Sequence, residues 1–202
     1  MVLLHAVTIA TARTAAWRSE SRHATVDWQS TIVRIHTRLQ EMLAEEVDTE
    51  ERRRLARKLL YLYAPRAHRL GMSAVRDEVG DAAFAALDPA RSLRLAAYVS
   101  ASRPVGAKSM DAVQRLIEDV VQPTLRTSLW TQRRTKAIHS VAAKMERCAI
   151  DRVESVYDLF GMRVILCTPS ERSCHKALVL LRRQNATVDL LRDYVLAPKP
   201  NG

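Results

Sequence analysis

Between Arg134 and Met145 the chain reads Arg-Thr-Lys-Ala-Ile-His-Ser-Val-Ala-Ala-Lys-Met. Helical spacing predicts one polar stripe through Lys136, Ser140 and Lys144, one turn apart, with Arg134 at the helix entrance. Ile138, Val141 and Met145 fall roughly opposite and can bury. Two ammonium groups and a hydroxyl in one file suit a polyphosphate, and a helix N-terminus adds partial positive charge. A solvated basic face is the blander use of the same pattern.

Two further segments carry chemistry. Val156-Tyr157-Asp158-Leu159-Phe160-Gly161-Met162-Arg163-Val164-Ile165-Leu166 places a carboxylate just before an apolar run. Asp158 there could ligate magnesium beside a nucleotide, or merely cap a turn. Arg163 inside a buried strand must face a ligand, a partner or an edge. Strict alternation sets Asp158 and Arg163 on opposite faces, so a bulge at Gly161 or a long arginine reach would be needed to unite them. The last segment ends in Pro198-Lys199-Pro200-Asn201-Gly202, a stiff turn presenting an ammonium and an amide.

The elements that must position these groups are mostly helical. Ile32, Ile35, Leu39, Met42 and Leu43 recur at helical spacing over residues 28 to 47. A second helix starts after Asp48, a candidate cap with Glu51 three residues on. It has Leu55, Leu59 and Leu62 on its apolar face and Arg52, Arg53, Arg54 and Lys58 projecting away. Pro65 disturbs its later part and Gly71 stops it. A third helix covers Ser73 to Leu87, ended by Asp88-Pro89, and more helix follows over 90 to 101. Ser102-Arg103-Pro104-Val105-Gly106 reads as a linker and domain boundary. Beyond it, Asp111 to Leu125 is amphipathic. Then the style changes: a short strand over Thr127 to Gln132, a helix over Arg134 to Arg147, a buried strand over Met162 to Cys167 and a helix over Glu171 to Arg183. Helices that feed strands in this order predict an α+β fold with a mixed sheet.

Composition narrows the partners. The 202 residues carry a formal charge of +10, which draws anions such as nucleic acid, acidic membrane surfaces or nucleotide polyphosphates. Three cysteines, Cys148, Cys167 and Cys174, are too few and too irregular for a disulfide framework or a zinc site, and fit a reducing compartment. No apolar run approaches the roughly 20 residues that span a bilayer. The first nineteen residues lack acids and are rich in Thr, Ala and Arg, as an organelle transit peptide is. The expected location is therefore cytoplasmic, or the plastid stroma if that segment is a transit peptide.

Taken together, the segments resemble the RelA/SpoT family of alarmone synthetases. The family pattern R-x-K-x-x-x-S-[IV]-x-x-K-M is met by Arg134 to Met145. [YF]-D-L-x-x-x-R-[VI]-[IV] is met by Tyr157 to Ile165, and D-Y-[IV]-x-x-P-K-x-N-G by Asp193 to Gly202. Upstream, Tyr63-Ala64-Pro65-Arg66-Ala67-His68-Arg69-Leu70-Gly71 is similar to Y-A-P-L-A-x-R-L-G. The resemblance covers about Ile32 to Gly202.

It implies a helical N-terminal region followed by a nucleotidyltransferase-like sheet, here incomplete, and a GTP diphosphokinase chemistry. ATP would lie with its adenine between Arg134 and Arg163 and its phosphates on Lys136 and Lys144, with Ser140 a weaker contact. Asp158 would hold Mg2+ and help activate the 3′-hydroxyl of GTP or GDP. That hydroxyl attacks the β-phosphorus of ATP and AMP leaves. Arg192, Lys199 and Asn201 would line the guanine-nucleotide side. The implied partition is a degenerate hydrolase remnant over 1–47, a helical linker region over 48–106 and the N-terminal part of the synthetase over 107–202.

Departures from the family pattern shape the expectation. A guanine-stacking Tyr, a Ser, a His and a second metal carboxylate that come after the Asn-Gly in the family are not among these residues, so the chain is expected to be an incomplete or inactive version. Arg133 replaces a family Gly. Leu190-Leu191-Arg192-Asp193 stands for the family's R-x-K-D/E-x-D-D, its basic third position being that of the bifunctional branch. Arg34 to Met42 is similar to the hydrolase helix K-L-A-D-R-L-H-N-M, but Thr37 stands for the metal-binding Asp. Leu3-Leu4-His5-Ala6 echoes L-L-H-D with Ala6 in place of the acid. A neutral hydroxyl replaces a carboxylate ligand poorly, so no hydrolase activity is expected. The alternatives are a non-catalytic basic module that docks on RNA, the ribosome or a partner, and a pseudoenzyme that senses guanine nucleotides.

Overall fold

The computed structural model describes residues 7–11, 26–44, 50–168 and 170–183. The expected cap at Asp48 and the site residues Arg192, Lys199 and Asn201 lie outside them, as does Ala6. The fold is α+β. The chain divides into two compact units, one of residues 17–103 with 136–159, the other of 1–16 with 104–135 and 160–202. These units cut the chain differently from a serial 1–47, 48–106 and 107–202 partition.

The first of these units is helical. It holds α1 (Val26–Ala44), α2 (Glu50–Lys58), a π turn (Leu59–Tyr63), α3 (Ala64–Arg69) and α4 (Ser73–Leu87). Ile32 and Leu39 from α1, Ala56, Leu59, Ala64, Ala67, Val79, Ala83 and Ala86 form one buried cluster. The small residues let the helices approach closely. Leu62, expected on the apolar face, is exposed instead, and Leu60 and Tyr63 pack on the core. The π turn explains the change: Leu62 lies within it, where the wider winding shifts side chains off the α-helical period. It stands directly before Ala64-Pro65, where Ala64 N–H donates to the carbonyl five residues back, on Leu59. Proline has no N–H to give, so the helix widens around it rather than breaking. Arg53, Arg54 and Lys58 are exposed as expected, while Arg52 is half-buried. Gly71, at φ +75°, ends α3 as anticipated. Asp88 ends α4 and caps the next helix, its carboxylate accepting from Arg91 N–H at 3.0 Å.

That next helix, α5 (Pro89–Leu116), runs straight through the stretch expected to be a linker. Pro104 sits inside the helix, so Ser102–Gly106 is no loop, although the division between units falls at Arg103/Pro104. A second π turn (Ile117–Val121) precedes Gln122-Pro123 and leads into the short α6 (Gln122–Leu125), the same solution as at Ala64-Pro65.

In the second unit β1 (Val7–Thr11), β2 (Leu129–Thr135) and β3 (Phe160–Leu166) make a mixed sheet in the order β1-β3-β2. β3 is central, parallel to β1 and antiparallel to β2. That position accounts for its apolar composition: Phe160, Met162, Val164, Ile165 and Leu166 are all buried. Gly106 of α5 lies against the Phe160 ring so closely that a Cβ would come within 2.6 Å of it. α7 (Ile138–Arg147) begins four residues later than the helix read from Arg134, and β2 begins and ends later than the strand read over 127–132. α8 (Glu171–Arg183) spans the residues expected and buries Cys174, Ala177 and Leu181 at helical spacing. β1 was not foreseen.

Candidate functional site

The late start of α7 changes how the Lys-rich motif works. Arg134 and Thr135 belong to β2, and Lys136-Ala137 is a two-residue connection in which Ala137 keeps an extended backbone (ψ 148°). Lys136 is therefore not on the helical stripe with Ser140 and Lys144, and Arg134 is not at a helix entrance. Lys136 N–H instead donates to Leu159 C=O at 2.7 Å, which ties the connection to the turn that carries Asp158. That turn comes after a short 3₁₀ segment (Val153–Ser155) and is anchored by buried Val156 and Leu159 on either side.

The result is a tight cluster. Lys136 Nζ donates to Asp158 Oδ2 at 2.9 Å and Lys144 Nζ to Asp158 Oδ1 at 2.6 Å. The side chains are 11%, 21% and 33% exposed for Lys136, Lys144 and Asp158, so the ammonium groups are the better shielded. Burial alone would raise the Asp158 carboxyl, but the hydrogen bonds from Lys144 and Lys136, and the charges of those ammonium groups, outweigh it and hold it below the ordinary carboxylate range. Two cations against one anion leave a positive charge, which suits a further anion.

The cluster is not a preformed metal cage. Among the described residues no group of three His, Cys, Asp or Glu side chains could hold a metal ion. Both oxygens of Asp158 already accept from ammonium groups. One carboxylate fits the sparse protein ligation that Mg2+ accepts when substrate phosphates complete its shell, provided the lysines turn to those phosphates.

The arginines stand on the sheet of the other unit. Register pairs Arg134 with Gly161, Gln132 with Arg163 and Trp130 with Ile165, so Arg134, Gln132, Trp130 and Arg163 share one face. Arg134 and Arg163 are diagonal neighbours there. The pairing runs without interruption through Gly161, so no bulge forms. Asp158 lies outside the strand, and alternation along β3 does not reach it. Arg133, on the opposite face, is accounted for structurally: it pairs with Asp111 at 2.7 Å and bonds Gln114 Oε1 at 3.2 and 2.6 Å, both on α5.

Ser140 is drawn elsewhere. Its hydroxyl lies 3.1 Å from His139 Nε2, and His139 Nδ1 lies 2.8 Å from Asp81 Oδ1 on α4. Neither Asp81 nor His139 was singled out in the sequence, because 58 residues separate them and no spacing rule links them. Thr37, on α1, is exposed.

Residues 133–202 match the family profile described as a region found in RelA / SpoT proteins. The chain belongs to the RelA/SpoT family. It is 35% identical over 156 residues to a GTP pyrophosphokinase of Streptomyces coelicolor, covering 75% of this chain and 18% of that protein. It is 30% identical over 160 residues to a guanosine-3′,5′-bis(diphosphate) 3′-pyrophosphohydrolase of Aquifex aeolicus, covering 75% and 22%. A bifunctional (p)ppGpp synthase/hydrolase SpoT of Escherichia coli is 27% identical over 156 residues, covering 76% and 21%. The chain thus spans about a fifth of the length of these curated relatives. No helix among the described residues is long and apolar enough to cross a membrane.

Proposed function

We propose that this RelA/SpoT chain acts in (p)ppGpp metabolism on the synthetic side, binding ATP as the pyrophosphate donor. The observation that carries the reading is the convergence of Lys136 and Lys144 on the two oxygens of Asp158. These ammonium groups would take the polyphosphate, and Arg134 and Arg163 would flank the adenine. Asp158 would hold Mg2+, which neutralises phosphate charge, and would help position the 3′-hydroxyl of GTP or GDP. Arg192, Lys199 and Asn201 would serve the guanine nucleotide. In the complete reaction that hydroxyl forms a bond to the β-phosphorus of ATP while the bond to AMP breaks. The names of the Streptomyces pyrophosphokinase and of the SpoT relative support the class of reaction.

Titration of the 202-residue chain with a fluorescent ATP analogue tests the reading. Binding is expected in the high micromolar to millimolar range, roughly 4 to 5 kcal/mol, and weaker as salt rises. Lys144→Ala and Arg163→Ala should each remove most of it, and Arg53→Ala on an exposed face of α2 should change nothing. Equal effects from all three would mean a diffuse basic surface, and the RNA-docking reading would replace this one.

A further inference from the structure

The chain of hydrogen bonds through Asp81, His139 and Ser140 has its own logic, separate from the lysine cluster. It begins with a seat. Gly80 on α4 is buried, and a Cβ there would come within 2.6 Å of Cε1 and Nδ1 of the His139 ring. Only glycine lets the imidazole lie so close to the helix backbone. The next residue, Asp81, offers one carboxylate oxygen at 2.8 Å to both the backbone N–H and Nδ1 of His139.

An ionised carboxylate can only accept, so Nδ1 carries a ring proton, and in the neutral imidazole Nε2 is then the lone pair. Ser140 Oγ stands 3.1 Å from that lone pair. In that tautomer the hydroxyl donates its hydrogen to the imidazole, which leaves the lone pairs of the oxygen turned outward. Such a hydroxyl is a poor donor to a phosphate oxygen, which argues against a simple phosphate-contact role for Ser140. It is instead a hydroxyl with its base in hydrogen-bond reach and the base oriented by a third group. The imidazole is 11% exposed, so water competes little for Nε2, while Ser140 is only half-buried and can be reached. Lys144 lies one turn further along the same face of α7, where its ammonium favours an electrophile that develops negative charge.

We propose that Ser140 is a nucleophilic site that accepts a phosphoryl group, with His139 as its general base and Asp81 as the residue that positions the base. Ser140 Oγ forms a bond to phosphorus as the bond from phosphorus to the leaving oxygen breaks, and the hydroxyl proton passes to His139 Nε2. With a nucleoside triphosphate as donor the γ-phosphoryl moves to Ser140, the nucleoside diphosphate leaves with the electron pair, and the imidazolium returns its proton to solvent. Only this choice of donor rests on the ATP reading above.

The whole chain is treated with diisopropyl phosphorofluoridate, which needs no nucleotide site, and in parallel with γ-labelled ATP, and modified peptides are mapped by mass spectrometry. Ser140 should react about a hundredfold faster than Ser109 or Ser173 in the same chain, a typical gain from a positioned base. His139→Gln should remove that advantage, Asp81→Asn should reduce it, and label from ATP should appear on Ser140 and vanish in Ser140→Ala. Because a variant could misfold, nitrogen-15 NMR of the unaltered protein supplies a second reading: His139 should be the Nδ1–H tautomer with Nε2 unprotonated. Reactivity of Ser140 no greater than that of the other serines, indifference to His139→Gln, or an Nε2–H tautomer would overturn the assignment. If ATP does not bind at all, transfer from ATP is lost while fluoridate labelling persists, so the two readings fail separately.

Discussion

Asp158→Asn should tighten the binding of metal-free triphosphate, although it removes the residue proposed to hold the metal. In the structure both oxygens of Asp158 are engaged by the ammonium groups that a polyphosphate would use, at 2.9 Å from Lys136 and 2.6 Å from Lys144. Charge-assisted hydrogen bonds contribute roughly 1.5 to 3 kcal/mol each when well shielded. Asp158 is a third exposed, so solvent screening brings each nearer to about 1 kcal/mol. A phosphate must win both ammonium groups from the carboxylate, which costs it about 1 to 2 kcal/mol. The amide of asparagine is close in shape but uncharged, so most of that cost disappears and affinity rises about tenfold. Calorimetric titration with tripolyphosphate and with ATP, both in excess chelator, measures the change. With saturating Mg2+ the advantage should reverse, since the variant then lacks the carboxylate proposed to hold the metal. Unchanged or weaker metal-free binding by Asp158→Asn would refute the view that Asp158 competes with phosphate for these lysines.

The same cluster makes stability depend on pH. The folded-state pKa of Asp158 is lowered, so its ionic contribution is complete above the unfolded value, about 3.9, and is lost as pH falls from there through the folded value. Urea unfolding should show a constant gap between the unaltered chain and Asp158→Asn from pH 5 to 7 that closes below about pH 4. Gly106→Ala should destabilise by about 1 to 2 kcal/mol, because overpacking against the buried Phe160 ring at 2.6 Å outweighs the roughly 1 kcal/mol gain in helix propensity. Gly71→Ala, with nothing within 4 Å but a φ of +75°, should cost about 1 kcal/mol from backbone strain alone. Thermal melting separates them. Labelled ppGpp incubated with manganese and the chain should stay intact, given Thr37 where the hydrolase helix of the family has its Asp. Pyrophosphate release above a metal-free control would show that this alignment of α1 is wrong.

Local patterns were legible where the chain encodes them locally. Ser73–Leu87 and Glu171–Arg183 were readable in full, since each has helical periodicity and its own stop or start. Pro65 disturbs its helix as expected, whereas Pro104 does not mark the loop expected there. The first was absorbed by a π turn that contains Leu62 and leaves it exposed. The second was tolerated inside α5, where the expected loop never forms. Neither outcome can be had from propensity, because each depends on packing around the proline. β1 could not be read at all: five residues gain their partners only when β3 lies alongside.

The site shows the same limit at finer grain. Its candidate residues came from resemblance, since spacing alone fits a solvated basic face as well, and the helical stripe offered the wrong geometry for Lys136. Arg134, Thr135 and Lys136 fit helical periodicity as well as they fit a strand, and only the ladder to β3 decides between them. That ladder pairs Thr135 with Phe160, and an antiparallel pair continued by one step brings position 136 to position 159. The observed bond from Lys136 N–H to Leu159 C=O is this step, and it delivers Lys136 to the turn holding Asp158. On the sheet itself, the same register sets Arg134 opposite Gly161 and so on one face with Arg163. A slip of one residue would put Arg134 on the other face and carry Lys136 past the turn. One strand register therefore has two consequences, one in each unit, and it is a relation between segments that no single segment contains.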